Sequence, residues 1–415
     1  MSKKSLETIA KKTPSGAGHV YRVFIVAGEN SGDVLAAGVM ESLRRAMPQA
    51  RFEFEGIGGA GMRAAGLRVF ADMRVLSVMG FFQVVPRLWA ILRCLRQTVA
   101  RIAEARPHVV MTVDAPSFAM RLAARLRRKK ETRDMCLVHY VAPTVWAWKS
   151  FRAKKMARLY DHLLALLPFE PPYFERHGLP TYFVGHPSAW QEKEDKKDSN
   201  KDRADFCRRH GWLEEDTLLC VCSGSRDSEI KRHRRVIEAS VRGVRARLGD
   251  NHRLRVVAVA AQGCERAVDR ALGGSVDVVV TEDDKVRAFC AADGALAVSG
   301  TVSVDLARRG VAMVVIYAMD GVSAFLLRRL VRVQYASLLN ILADKVVIPE
   351  FLMEKCRSEL IIEGLYPLLD NETLRAEQTR TMTAWLGKML VDDRVSPSVH
   401  AACVLRDKVF MRLTD

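Results

Sequence analysis

From near residue 20 to beyond residue 310 the chain repeats one local pattern. A short apolar, β-branched run is followed by a turn rich in Gly, Ser or Asp, and then by a segment with helical periodicity. YRVFIVA, RFEFEGIGG, HVVMTVD, MCLVHYVAP, LLALLPF and TYFVGHP read as strands in the first half. TLLCVC, RLRVVAVAA, VDVVVTE, GALAVSG and AMVVIYA read as strands in the second. Strands this apolar, alternating with helices, predict a parallel sheet covered on both faces. Between the two series, QEKEDKKDSNKDR holds five acids and five bases with almost nothing apolar, which reads as a surface hinge. The expected organisation is a polar tail at 1–20, an α/β half at 21–190, a charged linker at 191–204 and a second half at 205–415. The last helices are free to return to the first half. Paired Rossmann-like domains facing a cleft bind ligands at the carboxyl ends of their strands, so the turns there are the candidate sites.

Five such turns carry usable chemistry. Gly28-Glu29-Asn30-Ser31-Gly-Asp33 links a strand to a helix. Its amides suit an anion or a sugar hydroxyl, and a helix cap by Ser31 or Asp33 explains it equally well. Asp114 ends VVMTVD directly before Ala-Pro, placed either as a general base or as the first residue of a turn before Pro116. Ser223-Gly-Ser225-Arg226 pairs a close backbone approach with a guanidinium able to clamp a phosphate. Ser299-Gly300-Thr301-Val-Ser303-Val-Asp305 offers amides and hydroxyls for a diphosphate, with Asp305 one turn on for a ribose hydroxyl. Both turns of the second half therefore suit a nucleoside diphosphate. Gly56-Ile-Gly58-Gly-Ala-Gly61 fits the dinucleotide spacing, but no strand ending in an acid follows about 20 residues later. It reads better as a tight structural turn.

Composition narrows the partners. Lys and Arg number 65 against 48 Asp and Glu, a net charge of +17, which favours an anionic partner. Nine scattered cysteines include no C-x-x-C pair, so no zinc ribbon or redox motif is expected, and a reducing cytoplasm suits them. The first residues lack the apolar core of a secretory signal, and no apolar stretch reaches the roughly 18 residues that span a bilayer. A soluble or peripheral protein is expected. Val78, Met79, Phe81, Phe82 and Trp89 form an apolar stretch interleaved with Arg87, Arg93 and Arg96, suited to a buried helix or to an interfacial membrane contact. A second basic run, Lys149 to Arg158, follows Trp146 and Trp148. No nucleic-acid-binding module is present, and the basic residues are spread over both halves.

The ordered set VAGENSGD, GIGGAGM, SVMG, DAPSF, YVAPTVWAWK, LPFE, VGHP, GSRDSEI, SGTVSVD and LLNILADKVVIPEFL resembles the lipid-A-disaccharide synthase family from about residue 22 to 400. YVAPTVWAWK and GSR-x-x-E-I are its most specific parts. The resemblance implies a two-domain GT-B fold and a metal-independent, inverting glycosyl transfer with no cofactor. The donor would be UDP-2,3-diacylglucosamine, the acceptor 2,3-diacylglucosamine 1-phosphate, and the products a β-1,6-linked disaccharide 1-phosphate and UDP. It further implies Asp114 as base and Arg226 as the group stabilising the leaving UDP. Ser225, Gly300, Thr301, Ser303 and Asp305 would hold the nucleotide, and Asn340 and Glu350 would line the cleft. Glu29, Asn30 and Ser31 would serve the acceptor. With such lipid substrates, the net charge points to docking on the anionic cytoplasmic face of the inner membrane. No nucleic-acid partner is implied, and a homodimer is left open.

The chain departs from the family pattern at Gln83, Ser117, Ala119, Asp305 and Met353, where Glu, Asp, Asn, Glu and Gln are usual. Related alternatives are a MurG-like N-acetylglucosaminyltransferase or a UDP-N-acetylglucosamine 2-epimerase, which share the nucleotide turns but lack YVAPTVWAWK. A basic nucleic-acid-binding protein is the alternative from another class.

Overall fold

A computed structural model describes residues 18–76, 81–147, 150–190, 199–249, 253–319 and 334–413. The chain divides into two compact units, Met1–Pro187 with Met389–Asp415, and Ser188–Lys388.

Among the described residues the first unit is built on seven strands: β1 (Val20–Ala27), β2 (Arg51–Gly58), β3 (Leu67–Asp72), β4 (Val109–Val113), β5 (Cys136–Tyr140), β6 (His162–Ala165) and β7 (Thr181–Phe183). All pairings are parallel, in the order β3-β2-β1-β4-β5-β6-β7. Chain direction across the sheet therefore reverses between β1 and β4, and the carboxyl ends of these two strands flank the crevice this topology creates. The central strands alternate their side chains into two apolar layers. Tyr21, Val23 and Ile25 face the helix Asn30–Ala46, whereas Phe24 and Val26 face the helices Phe81–Ala105 and Pro116–Arg128. Burial of each such side chain contributes about 1.5–3 kcal/mol.

Among its described residues the second unit repeats the plan with six strands: β8 (Thr217–Cys222), β9 (Leu254–Val259), β10 (Val278–Val280), β11 (Gly294–Val298), β12 (Met313–Tyr317) and β13 (Glu350–Leu352). They too are all parallel, in the order β10-β9-β8-β11-β12-β13. The reversal here lies between β8 and β11. Cys220 and Cys222 are buried in β8, as the alternating LLCVC run implies.

Three boundaries differ from those read in the sequence. β1 begins at Val20, inside the stretch assigned to the tail. Within the charged linker, the helix Ser199–His210 is already part of the second unit. There Arg203 spans the carbonyls of Glu214, Asp216 and Ala291 and the Asp293 carboxylate. The second unit ends at Lys388, and the helix Pro397–Lys408 belongs to the first. Its Ala401, Ala402 and Leu405, followed by Val409 and Phe410, complete the apolar layer around Tyr21, whose hydroxyl donates to the Phe410 carbonyl at 3.4 Å. Strands β3 and β13, absent from the sequence reading, are sheet edges whose residues are mostly half-buried.

Candidate functional site

In the first unit the switch point brings together the two turns singled out by sequence. Asp114 follows β4 with φ +53°, and Ala115 follows with φ +45°. Two consecutive left-handed residues without glycine are strained, a state that persists only where surrounding structure enforces it. Here the Asp114 amide is held by the Tyr140 carbonyl at 2.9 Å, and Pro116 fixes the start of the next helix. Gly28, after β1, is what lets the two turns pass, because a Cβ there would lie 2.5 Å from the Ala115 Cβ. Burial raises the Asp114 carboxyl above its ordinary range, against a smaller lowering by the Ala115 amide. A half-buried carboxylate with raised basicity at this position suits proton abstraction.

Glu29 is half-buried and Asn30 and Ser31 are exposed beside it. Glu29 is the N-cap of the helix Asn30–Ala46, and no side chain caps that end. Capping by Ser31 or Asp33 is therefore corrected. The Asp33 carboxylate instead accepts the amides of Gly59 (2.6 Å), Gly61 (2.8 Å) and Met62 (3.1 Å). Those amides are the donors a dinucleotide would need. With a buried aspartate already on them, Gly56–Gly61 is the structural turn that its sequence context predicts.

Glu170, which the sequence carries as the end of LPFE without a role of its own, joins Trp146 to the turn after β6. It is only 3% exposed and accepts from the Leu167 amide at 3.0 Å and the Trp146 indole at 3.3 Å. Trp146 in turn meets Phe169 edge-on, with ring centroids 5.4 Å apart. The signal was available as an acid within an otherwise apolar LLPFEPP run. Burial pushes the Glu170 carboxyl up to about 7, outweighing its amide and indole donors. Because folding favours the protonated form, this stability is complete below the ordinary value of 4.5 and is lost as pH rises through about 7. The loss is on the order of 3 kcal/mol. Glu170→Gln should therefore flatten the fall in melting temperature between pH 5 and 8, and an unchanged pH slope would contradict this origin.

In the second unit, the turn after β8 is organised by Glu229. Its carboxylate accepts from the Ser225 amide and from Arg226 Nη1, each at 3.1 Å. Gly224 (φ +110°) is required because a Cβ would lie 2.9 Å from the Glu229 side chain. Arg226 keeps a 54% exposed side chain, while Glu229 beneath it is 14% exposed. After β11, Gly300 and Thr301 are exposed. Asp305 is paired with Lys285 at 3.0 Å, a partner that sequence reasoning missed.

Two expected contacts are corrected by burial. Ser303 is fully buried with its hydroxyl donating to the Gly300 carbonyl at 2.8 Å, so it shapes the turn from within. Asn340 is also fully buried. It donates to the Ile348 carbonyl and the Glu350 carboxylate and accepts the amides of Val347 and Ile348, which makes it an interior bracket rather than a lining residue. Glu350 additionally accepts the amides of Ala336 and Ser337, fixing the segment before the helix Leu338–Ala343.

Val78 and Met79, and the side chains of Phe81 and Phe82, lie outside the described residues. Trp89 is 77% exposed on the helix Phe81–Ala105. Arg93 and Arg96 are exposed four and seven positions later, on the same helix face. Phe151, opening the helix Phe151–Ala157, is 67% exposed beside exposed Lys154, Lys155 and Arg158.

The model of the lipid-A-disaccharide synthetase family matches residues 23–394. The chain belongs to this family. A lipid-A-disaccharide synthase of Rhodospirillum centenum is 40% identical over 386 residues, covering 92% of each chain. That of Paramagnetospirillum magneticum is 37% identical over 389 residues, covering 93% of this chain and 97% of its own. As a lipid-A-disaccharide synthase family member, the chain is a glycosyltransferase of lipid A disaccharide synthesis. Among solved structures, a UDP-GlcNAc 2-epimerase from Neisseria meningitidis, bound to UDP-GlcNAc, aligns with TM-score 0.59 at 10% identity, covering 94% of this chain and all of that one. The calicheamicin glycosyltransferase CalG4 aligns with TM-score 0.56 at 13% identity, over 95% and 99%. Both support the GT-B class of two Rossmann-like domains. Family membership sets the nucleic-acid reading aside. Among the described residues, no helix is long and apolar enough to cross a membrane.

Proposed function

We propose that the enzyme transfers 2,3-diacylglucosamine from its UDP derivative to the 6-hydroxyl of 2,3-diacylglucosamine 1-phosphate, in one displacement with inversion. Asp114 takes the hydroxyl proton as the new C1–O bond forms and the bond to UDP breaks. Charge developing on the departing diphosphate is stabilised by Arg226, with the Ser225 and Thr301 hydroxyls and the exposed turn at Gly300. Asp305 accepts a ribose hydroxyl beside its Lys285 partner. Glu29, Asn30 and Ser31 serve the acceptor.

The observation that carries this reading is the strained, half-buried Asp114, held at the switch point by the Tyr140 carbonyl and made possible by Gly28. A structural turn has no need of two left-handed residues that begin with an acid of raised basicity. The product of a reaction run in chelator, examined by NMR, tests the mechanism. A β-1,6-linked disaccharide 1-phosphate is expected, and an α linkage or a metal requirement would overturn it.

Lipid substrates of this kind favour work at the cytoplasmic face of the inner membrane. The Trp89, Arg93 and Arg96 face and the Phe151 helix fit an anionic bilayer, where each basic residue near the surface contributes about 1 kcal/mol. Sedimentation with phosphatidylglycerol vesicles should show binding that weakens with salt and with Trp89→Ser. Binding indifferent to both would remove this surface from the reading.

A further inference from the structure

His233 lies on the helix Asp227–Leu248, which opens at Arg226, and it is fully buried. Its Nδ1 is 2.8 Å from the Glu229 carbonyl oxygen, and its Nε2 is 2.9 Å from the Ala318 amide nitrogen. A carbonyl only accepts and an amide N–H only donates, so the ring is the neutral Nδ1–H tautomer. Burial holds its pKa below the ordinary histidine value, in keeping with that form.

Topology gives these two bonds a consequence. Ala318 is the first residue after β12, and in the strand order β8-β11-β12 the strand β11 lies between β8 and β12. One imidazole therefore ties the helix that follows β8 to the end of β12, on either side of the turn Ser299–Thr301. Its helical partner is Glu229, the residue whose carboxylate holds the Ser225 amide and Arg226.

We propose that His233 is a positioning residue for the nucleotide turns, fixing Glu229, and through it Ser225 and Arg226, relative to the ends of β11 and β12. The ligand class is a nucleoside diphosphate, and the proposal rests on the reading that UDP binds these turns. Of the two bonds, the one to Ala318 matters more, because the Glu229 carbonyl is local to the helix whereas Ala318 belongs to another strand.

Calorimetric titration of UDP into the full-length enzyme and three variants tests this. His233→Asn keeps the local bond but falls short of Ala318, and should weaken UDP binding about tenfold by leaving a buried amide unpaired. His233→Gln places Oε1 near the position of Nε2 and should recover affinity to within about threefold, by restoring the acceptor. A purely structural role would lower the melting temperature of the Asn variant yet leave UDP affinity of the folded protein at the wild-type value, which would overturn the proposal. If His233→Asn fails to fold, Ala318→Pro removes the donor with the imidazole intact and must reproduce the loss; wild-type affinity there also overturns it. Wild-type enzyme that fails to bind UDP would sink the nucleotide reading itself, and this proposal with it.

Discussion

Replacing Asp114 with asparagine should lower UDP release by about 10²–10⁴-fold, the usual contribution of a positioned general base. The substitution keeps volume and one acceptor oxygen but cannot take a proton. Asparagine tolerates left-handed backbone better than most residues, so the turn at φ +53° should survive and melting temperature should change little. UDP binding should also persist, because the nucleotide turns belong to the other sheet. The raised pKa of Asp114 adds a sign to the pH profile. The base must be ionised, so wild-type kcat/KM should fall on the acid side at a pH above that of an ordinary aspartate. Turnover near the wild-type level in Asp114→Asn would remove this residue from the chemistry.

Gly56→Ala should produce the largest loss of stability, about 4 kcal/mol or more, in the range reserved for severe steric or packing defects. Gly56 sits opposite Ile25 where β2 pairs with β1. A Cβ there would lie 1.8 Å from the Ile25 carbonyl oxygen, at φ +153°. Backbone in the centre of the sheet cannot move aside as a flexible side chain would. Gly178→Ala is the control, since its Cβ meets nothing within 4 Å and only the φ of +84° is unfavourable; about 1–2 kcal/mol is expected. Denaturant melts of both variants measure the difference. A stable Gly56→Ala that loses only ligand binding would instead return a phosphate-binding role to the G-x-G-x-x-G segment.

The two sheets were legible in the sequence because their central strands are buried on both faces and must be apolar along their length. Of the four edge strands, β7 and β10 lie in TYFVGHP and VDVVVTE, whose aromatic or β-branched runs are readable, whereas LRVFAD (β3) and EFL (β13) are half-exposed and carry too little pattern. The return of residues 389–415 to the first unit was left open for a related reason. An apolar helix face such as Ala401, Ala402 and Leu405 shows that a partner exists but not which one. At the candidate site, strand-end position singled out Asp114, Arg226 and Gly300 as candidates. What it could not supply was the neighbour that uses up each polar group. Asp33 serves the amides of a turn 26 residues away, Asn340 closes on its own loop, Ser303 turns inward, and Glu170 reaches back to Trp146. The contacts of Asp33 and Glu170 depend on packing between segments far apart in the chain, whereas those of Ser303 and Asn340 are local and depend on which way a turn residue faces.

Substrate selectivity tests the central proposal most directly. UDP release should be followed with the UDP-diacylglucosamine donor and the diacylglucosamine 1-phosphate acceptor, each alone and together, and then with non-acylated UDP-N-acetylglucosamine replacing the donor. Release that requires both lipids and falls to background with the non-acylated donor is expected. Equal release from UDP-N-acetylglucosamine, or release without the acceptor, would contradict it.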